Sequence, residues 1–390
     1  MKRLPLYALS VSFISVFTAF LAQNSLKPQE KNQNEISVKT ESNTAENIEI
    51  STQNEKKSES SIEINDFLVL DKDSDCVMRV SAKEYVIGAV AAEMPAEFEE
   101  EALKAQAVAA YTYAVRQKKI SAEKNNPELH GADFSDDPEI YQAFYSNEEL
   151  KKIFGSNYDK YYNKINSAVE DVFGYCIYYE NEPVIAAFHS ISSGKTESAK
   201  NVWGTDVPYL VSVDSENDKN AKGYNSKVVL SADEVFNKLS KVCGKDKIDE
   251  FKNTPEKLFE NTKRDDSGYI SHILIDDKEI SGEQLRDIFG LRSASFEVVF
   301  NNDKNEFTFN IKGYGHGVGM SQYGAEKMAE AGSDWKEILN HYYPNTSIMR
   351  NEKWGSGISP QPSLTNFIKK SPFKASPERG GGPPKAVEGL

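Results

Sequence analysis

Apolar residues between Ser81 and Arg116 recur with the spacing of two helices that meet at a proline. Pro95 disfavours helical geometry for Met94, so the first helix is predicted to end near Glu93. The second helix is predicted to start at Pro95, with a run of glutamates in its first turn. Small side chains form a stripe along this helix and allow another element to approach closely: Leu103, Ala107, Ala110 and Ala114.

Shorter alternating patterns predict strands, which pair as hairpins where a polar turn separates two of them. The predicted strands cover residues 67–70, 77–80, 177–179, 184–188, 296–300 and 307–311. Helices and strands are interspersed without a βαβ rhythm. The predicted fold class is therefore α+β, with helices packed on β-hairpins and small sheets.

Three later helices carry start or stop signals in the sequence. Capping boxes are formed by Ser231 with Glu234 and by Ser281 with Gln284. The second of these helices is predicted to end at Gly290. A last helix is predicted to begin at Ser333 and to be closed by Pro344.

The polarity of the chain divides it into four predicted parts. These are an N-terminal anchor or signal at 1–22, a disordered tether at 23–61, a folded domain at 62–346 and a disordered C-terminal tail at 347–390. The tether and the tail are rich in polar residues, or in Pro, Gly, Ser and Lys, and cannot build a core. The purpose of the tail is not readable from its composition.

Residues 1–22 place Lys2 and Arg3 before an uncharged apolar run that is long enough to span a bilayer. A secretory signal also fits, with Ala19 and Ala22 near a cleavage site. We favour an uncleaved single-pass anchor, because the run is long and no clean A-x-A occurs. In either case the positive end stays inside and the remaining chain is exported.

Composition excludes some classes of function. The chain has 390 residues, 39% of them hydrophobic, and a net charge of -14. This acidic balance argues against nucleic acid or an anionic membrane surface as the main partner. Three cysteines (Cys76, Cys176 and Cys243) are scattered and odd in number, so neither a disulfide framework nor a zinc cluster is indicated.

Glu93 is the chemically unusual residue of the helical stretch. It follows Ala89 to Ala92 and precedes Met94 and Pro95, so it has apolar neighbours and lies at a helix C-terminus. Both features disfavour the charged carboxylate and raise its pKa. A carboxylic acid that keeps its proton near neutral pH suits general acid catalysis. A surface glutamate at a helix end is the alternative, and this stretch alone favours it.

Two further stretches place polar groups on predicted turns. His189 and Ser190 follow a strand and precede Gly194, where they could bind a sugar or form an ordinary turn. Trp203 and Tyr209 flank a turn that leads to Asp214, and aromatic faces beside polar groups suit sugar rings. Such aromatic residues are more often part of a core or a turn. No GxSxG elbow accompanies these residues, which argues against serine hydrolysis.

A glycine-rich stretch, GYGHGVGMSQYGA, lies between a predicted strand and a predicted helix. Its spacing does not fit a dinucleotide fingerprint, because Met320 stands where a glycine is required. Alternating glycines allow close approach of the backbone to a ligand and place His316 and Gln322 at a strand-to-helix turn. A tight structural turn is the weaker interpretation, given so many glycines around one histidine.

The ordered motifs resemble the stage II sporulation protein D family, the sporulation-specific peptidoglycan lytic transglycosylases of endospore-forming bacteria. They are EYVIGAVAAEMP, ALKAQAVAAYTYA, FHSISSGKTES, VPYLVSVDS, GYGHGVGMSQYGA and LNHYYP. The resemblance covers residues 67–346 and includes the N-terminal anchor. It implies cleavage of the bond between N-acetylmuramic acid and N-acetylglucosamine in peptide-free glycan, within a glycan-binding cleft and without a cofactor.

The same resemblance implies that Glu93 is the catalytic acid and base. It also implies that several residues line the glycan cleft: His189, Ser190, Tyr209, Asp214, His316 and Gln322. The family often has an arginine where Tyr111 stands, and Arg116 is the arginine that we include as a site residue here.

The chain departs from the family in the segment after the second predicted helix. Some members have a Cys/His metal site there, whereas residues 130–144 contain one histidine and no cysteine. No metal is therefore expected.

The resemblance also implies partners and a place of action. The implied partners are peptidoglycan strands, stage II sporulation protein P (an amidase) and stage II sporulation protein M (a membrane scaffold). The implied location is the cell membrane, with the catalytic domain exported into the septal space between mother cell and forespore. The same domain resembles the amidase enhancer, so a non-catalytic glycan-binding activator is the alternative function, and an inert envelope scaffold is a third.

Overall fold

The computed structural model describes residues 66–124, 126–138 and 140–350. The predicted anchor and tether, and the C-terminal tail beyond Arg350, lie outside these residues. Within the described part no helix is both long enough and apolar enough to cross a membrane.

The fold is α+β, as predicted, with small sheets interspersed among helices. The helices, which we number α1 to α10, are Ala82–Glu93, Glu100–Glu123, Asn147–Phe154, Tyr158–Val172, Ala199–Trp203, Ala232–Cys243, Lys245–Asp249, Gly282–Phe289, Gln322–Glu330 and Trp335–Tyr342. The strands, β1 to β14, are Asp66–Asp71, Cys76–Ser81, Phe134–Ser135, Tyr175–Tyr179, Glu182–Pro183, Phe188–His189, Asn225–Ser231, Thr262–Arg264, Ile270–Ile275, Lys278–Ser281, Phe296–Asn301, Glu306–Lys312, Met320–Ser321 and Ser347–Arg350.

The first core forms around α2. The predicted stripe of small residues is fully buried along this helix, from Leu103 through Ala114. Helices α1, α4, α9 and α10 pack against it. Short side chains allow these close approaches on several faces, which an amphipathic surface helix with one apolar stripe would not permit.

A second core lies within residues 225–312. Its main sheet has the order β11-β12-β7, and Phe307, Phe309 and Ile311 point inward from β12. The two ends of this segment meet where the Gly313 N–H donates to the Tyr224 carbonyl at 2.8 Å. The segment therefore leaves and re-enters the first core at one place.

Local signals are confirmed at several element ends. Helix α1 ends at Glu93, and both capping boxes form as predicted. Gly290 ends α8 in the left-handed conformation. The hairpin turn at Glu180 and Asn181 also has two left-handed residues, which suits a two-residue connection.

Four boundaries differ from the predictions. Helix α2 begins at Glu100, because residues 95–98 form a separate turn closed by a hydrogen bond from Phe98 N–H to Pro95 C=O. The strand predicted at 184–188 is divided: Glu182–Pro183 pairs with β4 in the hairpin, whereas Phe188–His189 pairs with β13. Helix α10 is capped by Asp334 instead of Ser333. The predicted tail includes β14, Ser347–Arg350, which pairs with β4 and extends the folded part beyond residue 346.

Candidate active site

Glu93 is the last residue of α1, and its side chain is almost completely buried. It is 1% exposed, and within the described residues neither carboxyl oxygen has a hydrogen-bond partner. An ionised carboxylate in such surroundings would lack both water and donors, which is costly. The geometry therefore favours the neutral acid.

Burial raises the pKa of Glu93 from its usual 4.5 to about 8. The backbone N–H of Ala143 and the side chain of Gln322 oppose this shift. Both groups lie near the carboxyl, but neither reaches the geometry of a formed hydrogen bond. The carboxyl thus keeps its proton at neutral pH and has two polar groups beside it.

A strap of residues 140–145 covers α1 next to this carboxyl. It docks on Gly88, whose carbonyl accepts from the Tyr145 N–H at 3.3 Å. A side chain at Gly88 would collide with the Tyr145 carbonyl and the Phe144 ring, so only glycine permits this approach. The strap is also tied down where the Tyr85 hydroxyl donates to Gln142 Oε1 at 3.2 Å.

Gln322 also lies near Glu93, because a short parallel strand pair positions it. Met320 pairs with Phe188 and Ser321 pairs with His189, and Gln322 then begins α9. Ser321 caps this helix by accepting from the Gly324 N–H at 3.2 Å. Two motifs that are more than 120 residues apart in the chain are thus joined beside Glu93.

His189 and His316 lie next to each other in the same region. Their ring centroids are 5.8 Å apart, and the Trp203 ring lies 5.6 Å from that of His316. His189 is fully buried, and burial lowers its pKa to about 4, so the imidazole is neutral at pH 7. His316 accepts from the Val318 N–H at 3.0 Å through Nδ1.

The alternating glycines have a use that the sequence did not indicate. All four, at 313, 315, 317 and 319, have positive φ. A side chain at Gly315 would lie 2.7 Å from His189 Cβ, and one at Gly319 would collide with the Ala187 carbonyl. The close approach is therefore to the protein's own segment 187–192. It holds His189 and His316 together.

Of the remaining predicted site residues, only Ser190 lies at the strand pair that holds His189 and Gln322. Tyr209 is buried, and its hydroxyl accepts from the Ile185 N–H at 3.0 Å. Asp214 is exposed, 3.7 Å from Lys195 Nζ. Ser190 is buried, and its carbonyl accepts from the Tyr323 N–H at 3.0 Å. Arg116 donates to the Pro183 carbonyl at 3.1 Å, sixteen residues along α2 from Glu100 and so about 24 Å from the helix start.

The structure also brings together buried acids that were not predicted. Glu197 lies beside Gly317, and burial with the nearby Asp265 carboxyl raises its pKa. Asp218 is fully buried and accepts from the Ser192 N–H at 2.8 Å, behind the start of α9. Glu197 lies within the FHSISSGKTES motif, so the sequence offered a signal by which it could have been predicted as a site residue. No local pattern marked Asp218.

In the part of the chain that the structure describes, no group of three or more His, Cys, Asp or Glu side chains is placed to hold a metal ion. His130, the histidine of the segment where some family members carry a metal site, lies 3.5 Å from Asp75.

Comparison with known proteins places this geometry in a family. Residues 71–179 match a family model described as Stage II sporulation protein. The chain is 38% identical to Stage II sporulation protein D of Bacillus amyloliquefaciens over 273 residues, which are 70% of this chain and 75% of the relative. The chain belongs to the stage II sporulation protein D family. The protein of that name from Bacillus subtilis is 37% identical over the same share of each chain.

A more distant relative has a different name. The amidase enhancer of Bacillus subtilis is 27% identical over 307 residues, which are 67% of this chain and 40% of the enhancer.

The family model of stage II sporulation proteins spans both α1 with Glu93 and the strap that covers it.

Proposed function

We propose that the chain is a membrane-anchored peptidoglycan lytic transglycosylase. It cleaves the bond between N-acetylmuramic acid and N-acetylglucosamine in denuded glycan strands, and it leaves a 1,6-anhydro-N-acetylmuramic acid end. The observation that carries the proposal is Glu93, a buried and protonated carboxyl at a helix end with Gln322 beside it.

The reaction needs only one carboxyl group. Glycosidases that use water or an enzyme nucleophile need two, one as the acid and one for the nucleophile. Here Glu93 protonates the glycosidic oxygen as the bond to muramic acid C1 breaks. The resulting carboxylate then takes the proton of the same sugar's 6-hydroxyl as that oxygen bonds to C1. The proton returns to Glu93, and water is not consumed.

The neighbours of Glu93 suit this alternation between acid and base. The Gln322 amide and the Ala143 N–H lie close enough to stabilise the carboxylate that forms when the proton leaves. Since Glu93 is 1% exposed, the glycan reaches it when a covering segment moves. The strap of residues 140–145 is the segment that lies over this end of α1.

The proposal is tested by supplying the purified full chain with denuded glycan strands and no amidase. Cleavage into shorter strands supports the enzyme. Absence of cleavage, together with faster release of stem peptides by an amidase from intact peptidoglycan when the chain is added, would favour an activator. The name of the amidase enhancer relative is the observation that keeps this second candidate open.

We also propose the setting of this activity. The family name places its members in sporulation, and we infer action in septal peptidoglycan removal and engulfment during endospore formation. Residues 1–22 would anchor the chain, with the catalytic domain exported. An amidase such as stage II sporulation protein P would supply denuded glycan, and stage II sporulation protein M would be the membrane scaffold.

Chelation of metal ions is expected to leave cleavage unchanged. The proposed chemistry moves a proton between one carboxyl and two sugar oxygens, and among the described residues no group of three or more His, Cys, Asp or Glu side chains is placed to hold a metal ion. Cleavage rates before and after dialysis against EDTA check this prediction. Loss of activity that returns with added zinc would contradict it.

The contribution of Glu93 to stability is expected to fall as the pH rises from about 4.5 to about 8. Across this interval the folded chain keeps the Glu93 proton, whereas an unfolded chain has released it. The free energy of unfolding of the wild type, measured by urea denaturation, should therefore fall relative to that of Glu93→Gln as the pH rises through this interval. Equal slopes for the two proteins would mean that Glu93 does not titrate abnormally.

A further inference from the structure

A second polar feature lies beside the candidate site, on the segment that connects α8 to β11. The guanidinium of Arg292 stacks on the ring of Tyr314, with its central carbon 4.6 Å from the ring centroid. The side chain is partly buried, and a Cβ on Gly223 would lie 3.4 Å from its Nη1. Arg292 is therefore held in a defined orientation by an aromatic face and a neighbouring backbone.

Arg292 has no acidic partner in the part of the chain that the structure describes. No carboxylate there lies within 4.0 Å of its guanidinium nitrogens, although acidic residues outnumber basic ones by 60 to 46 over the sequence. A partly buried arginine usually has a carboxylate or carbonyl as its partner, because desolvation of the charge is otherwise uncompensated. A planar guanidinium fixed by stacking is preorganised to bind an anion.

The connection from Arg292 to Glu93 runs through two tyrosines. Tyr314 pairs with Ile191, two residues after His189. Tyr323 directly follows Gln322, and its ring lies 5.0 Å from that of Phe98, in the turn after Glu93. Tyr314 and Tyr323 both pack against the small apolar cluster that contains Ile191, so the two tyrosines lie in the same region.

We propose that the Arg292 patch, formed by Arg292, Tyr314 and Tyr323, binds the free lactyl carboxylate of a muramic acid residue in the bound glycan. This inference rests on the proposed function. In intact peptidoglycan the stem peptide is joined to this carboxyl as an amide, and removal of the peptide restores the negative charge. A guanidinium binds a carboxylate through two parallel N–H donors, and the tyrosines offer flat faces to the sugar.

The patch would explain a preference for denuded glycan by recognition of what the amidase leaves behind. An amide cannot accept the two charge-assisted hydrogen bonds that a carboxylate accepts. A charge-assisted contact of this kind corresponds to about 10- to 100-fold in affinity. Tyr323 follows Gln322 directly in α9, so the patch and the residue beside the candidate acid share one helix start.

The test supplies the full chain with two forms of the same denuded glycan and compares the kcat/KM values. One form keeps its lactyl carboxylates, and in the other they are converted to primary amides. The wild type should show a kcat/KM that is about 10- to 100-fold higher on the carboxylate form. Arg292→Gln should reduce this ratio to near one, and Arg292→Lys should give an intermediate ratio. Arg79→Gln, an exposed arginine on β2, is the matched control and should keep the wild-type ratio.

Binding of both glycans to Glu93→Gln and to the double variant Glu93→Gln with Arg292→Gln separates this inference from the proposed function. A preference for the carboxylate form that disappears with Arg292→Gln supports the patch even if the wild type cleaves neither glycan. An unchanged preference in Arg292→Gln, in cleavage or in binding, overturns the patch and leaves the role of Glu93 intact. Equal kcat/KM and equal binding of both glycans by the wild type would also overturn it.

Discussion

Glu93→Gln is expected to reduce glycan cleavage by at least about 10²- to 10⁴-fold, which is the usual contribution of general acid and base catalysis. Glutamine keeps the size and polarity of the side chain but cannot give a proton to the leaving oxygen. The fold should survive, because within the described residues neither carboxyl oxygen of Glu93 makes a hydrogen bond that the substitution would break. Rates on denuded glycan, with thermal unfolding as the check on folding, measure both effects.

Glu326→Gln is the matched control for this experiment. Glu326 is also buried, and burial raises its pKa, but its Oε2 only accepts a hydrogen bond from the Glu99 N–H. A glutamine oxygen can accept the same bond, so cleavage should continue at close to the wild-type rate. Undiminished cleavage by Glu93→Gln would move the acid to another residue.

Gly319→Ala is expected to cause the largest loss of stability among single substitutions near the site. A Cβ at this position would collide with the Ala187 carbonyl oxygen. That oxygen cannot move away easily, since it accepts hydrogen bonds from Met320 N–H at 3.0 Å and from the Tyr343 hydroxyl at 2.6 Å. The strand pair that positions His189 and Gln322 would separate, with a loss of about 3 kcal/mol or more.

Gly204→Ala separates this collision from simple backbone strain. Gly204 has φ 71° and Gly319 has φ 73°, so an alanine would be forced to a similar positive φ at both positions. At Gly204 a Cβ would meet no atom within 4 Å. The control should therefore lose only about 1 kcal/mol, the usual cost of a left-handed non-glycine residue. Similar urea midpoints for the two variants would show that the contact with Ala187 is not restrictive.

Local chemistry determined how much of the fold was predictable. Glu93 ends α1 because Pro95 follows two residues later, and Ser231 and Ser281 start helices because each has its capping partner three residues on. The predicted start of α2 at Pro95 was wrong, because residues 95–98 form a separate turn. The hydrogen bond that closes this turn is not indicated by the composition of the segment. Strand β14 was missed because it is short and because the strand that it pairs with, β4, is distant in the sequence.

The candidate site was predictable at its centre and less so at its edges. The apolar neighbours of Glu93 in the sequence already indicated a raised pKa, and burial in the fold raises it further. The strap at 140–145 and the approach of Gln322 depend on contacts between distant segments. The sequence suggested that the Tyr209 ring could pack on a sugar, but in the fold its hydroxyl accepts a hydrogen bond from the Ile185 N–H. The role of a glycine in close packing against His189 is likewise visible only in three dimensions.

The most direct test of the central claim is mass spectrometry of the ends produced when the full chain digests denuded glycan. If Glu93 recovers its proton from the 6-hydroxyl of the same sugar, every new muramic end is 1,6-anhydro-N-acetylmuramic acid, lighter by one water than a reducing end. Reducing muramic ends would show that water attacks and that the protein is a hydrolase, which would contradict the one-carboxyl mechanism.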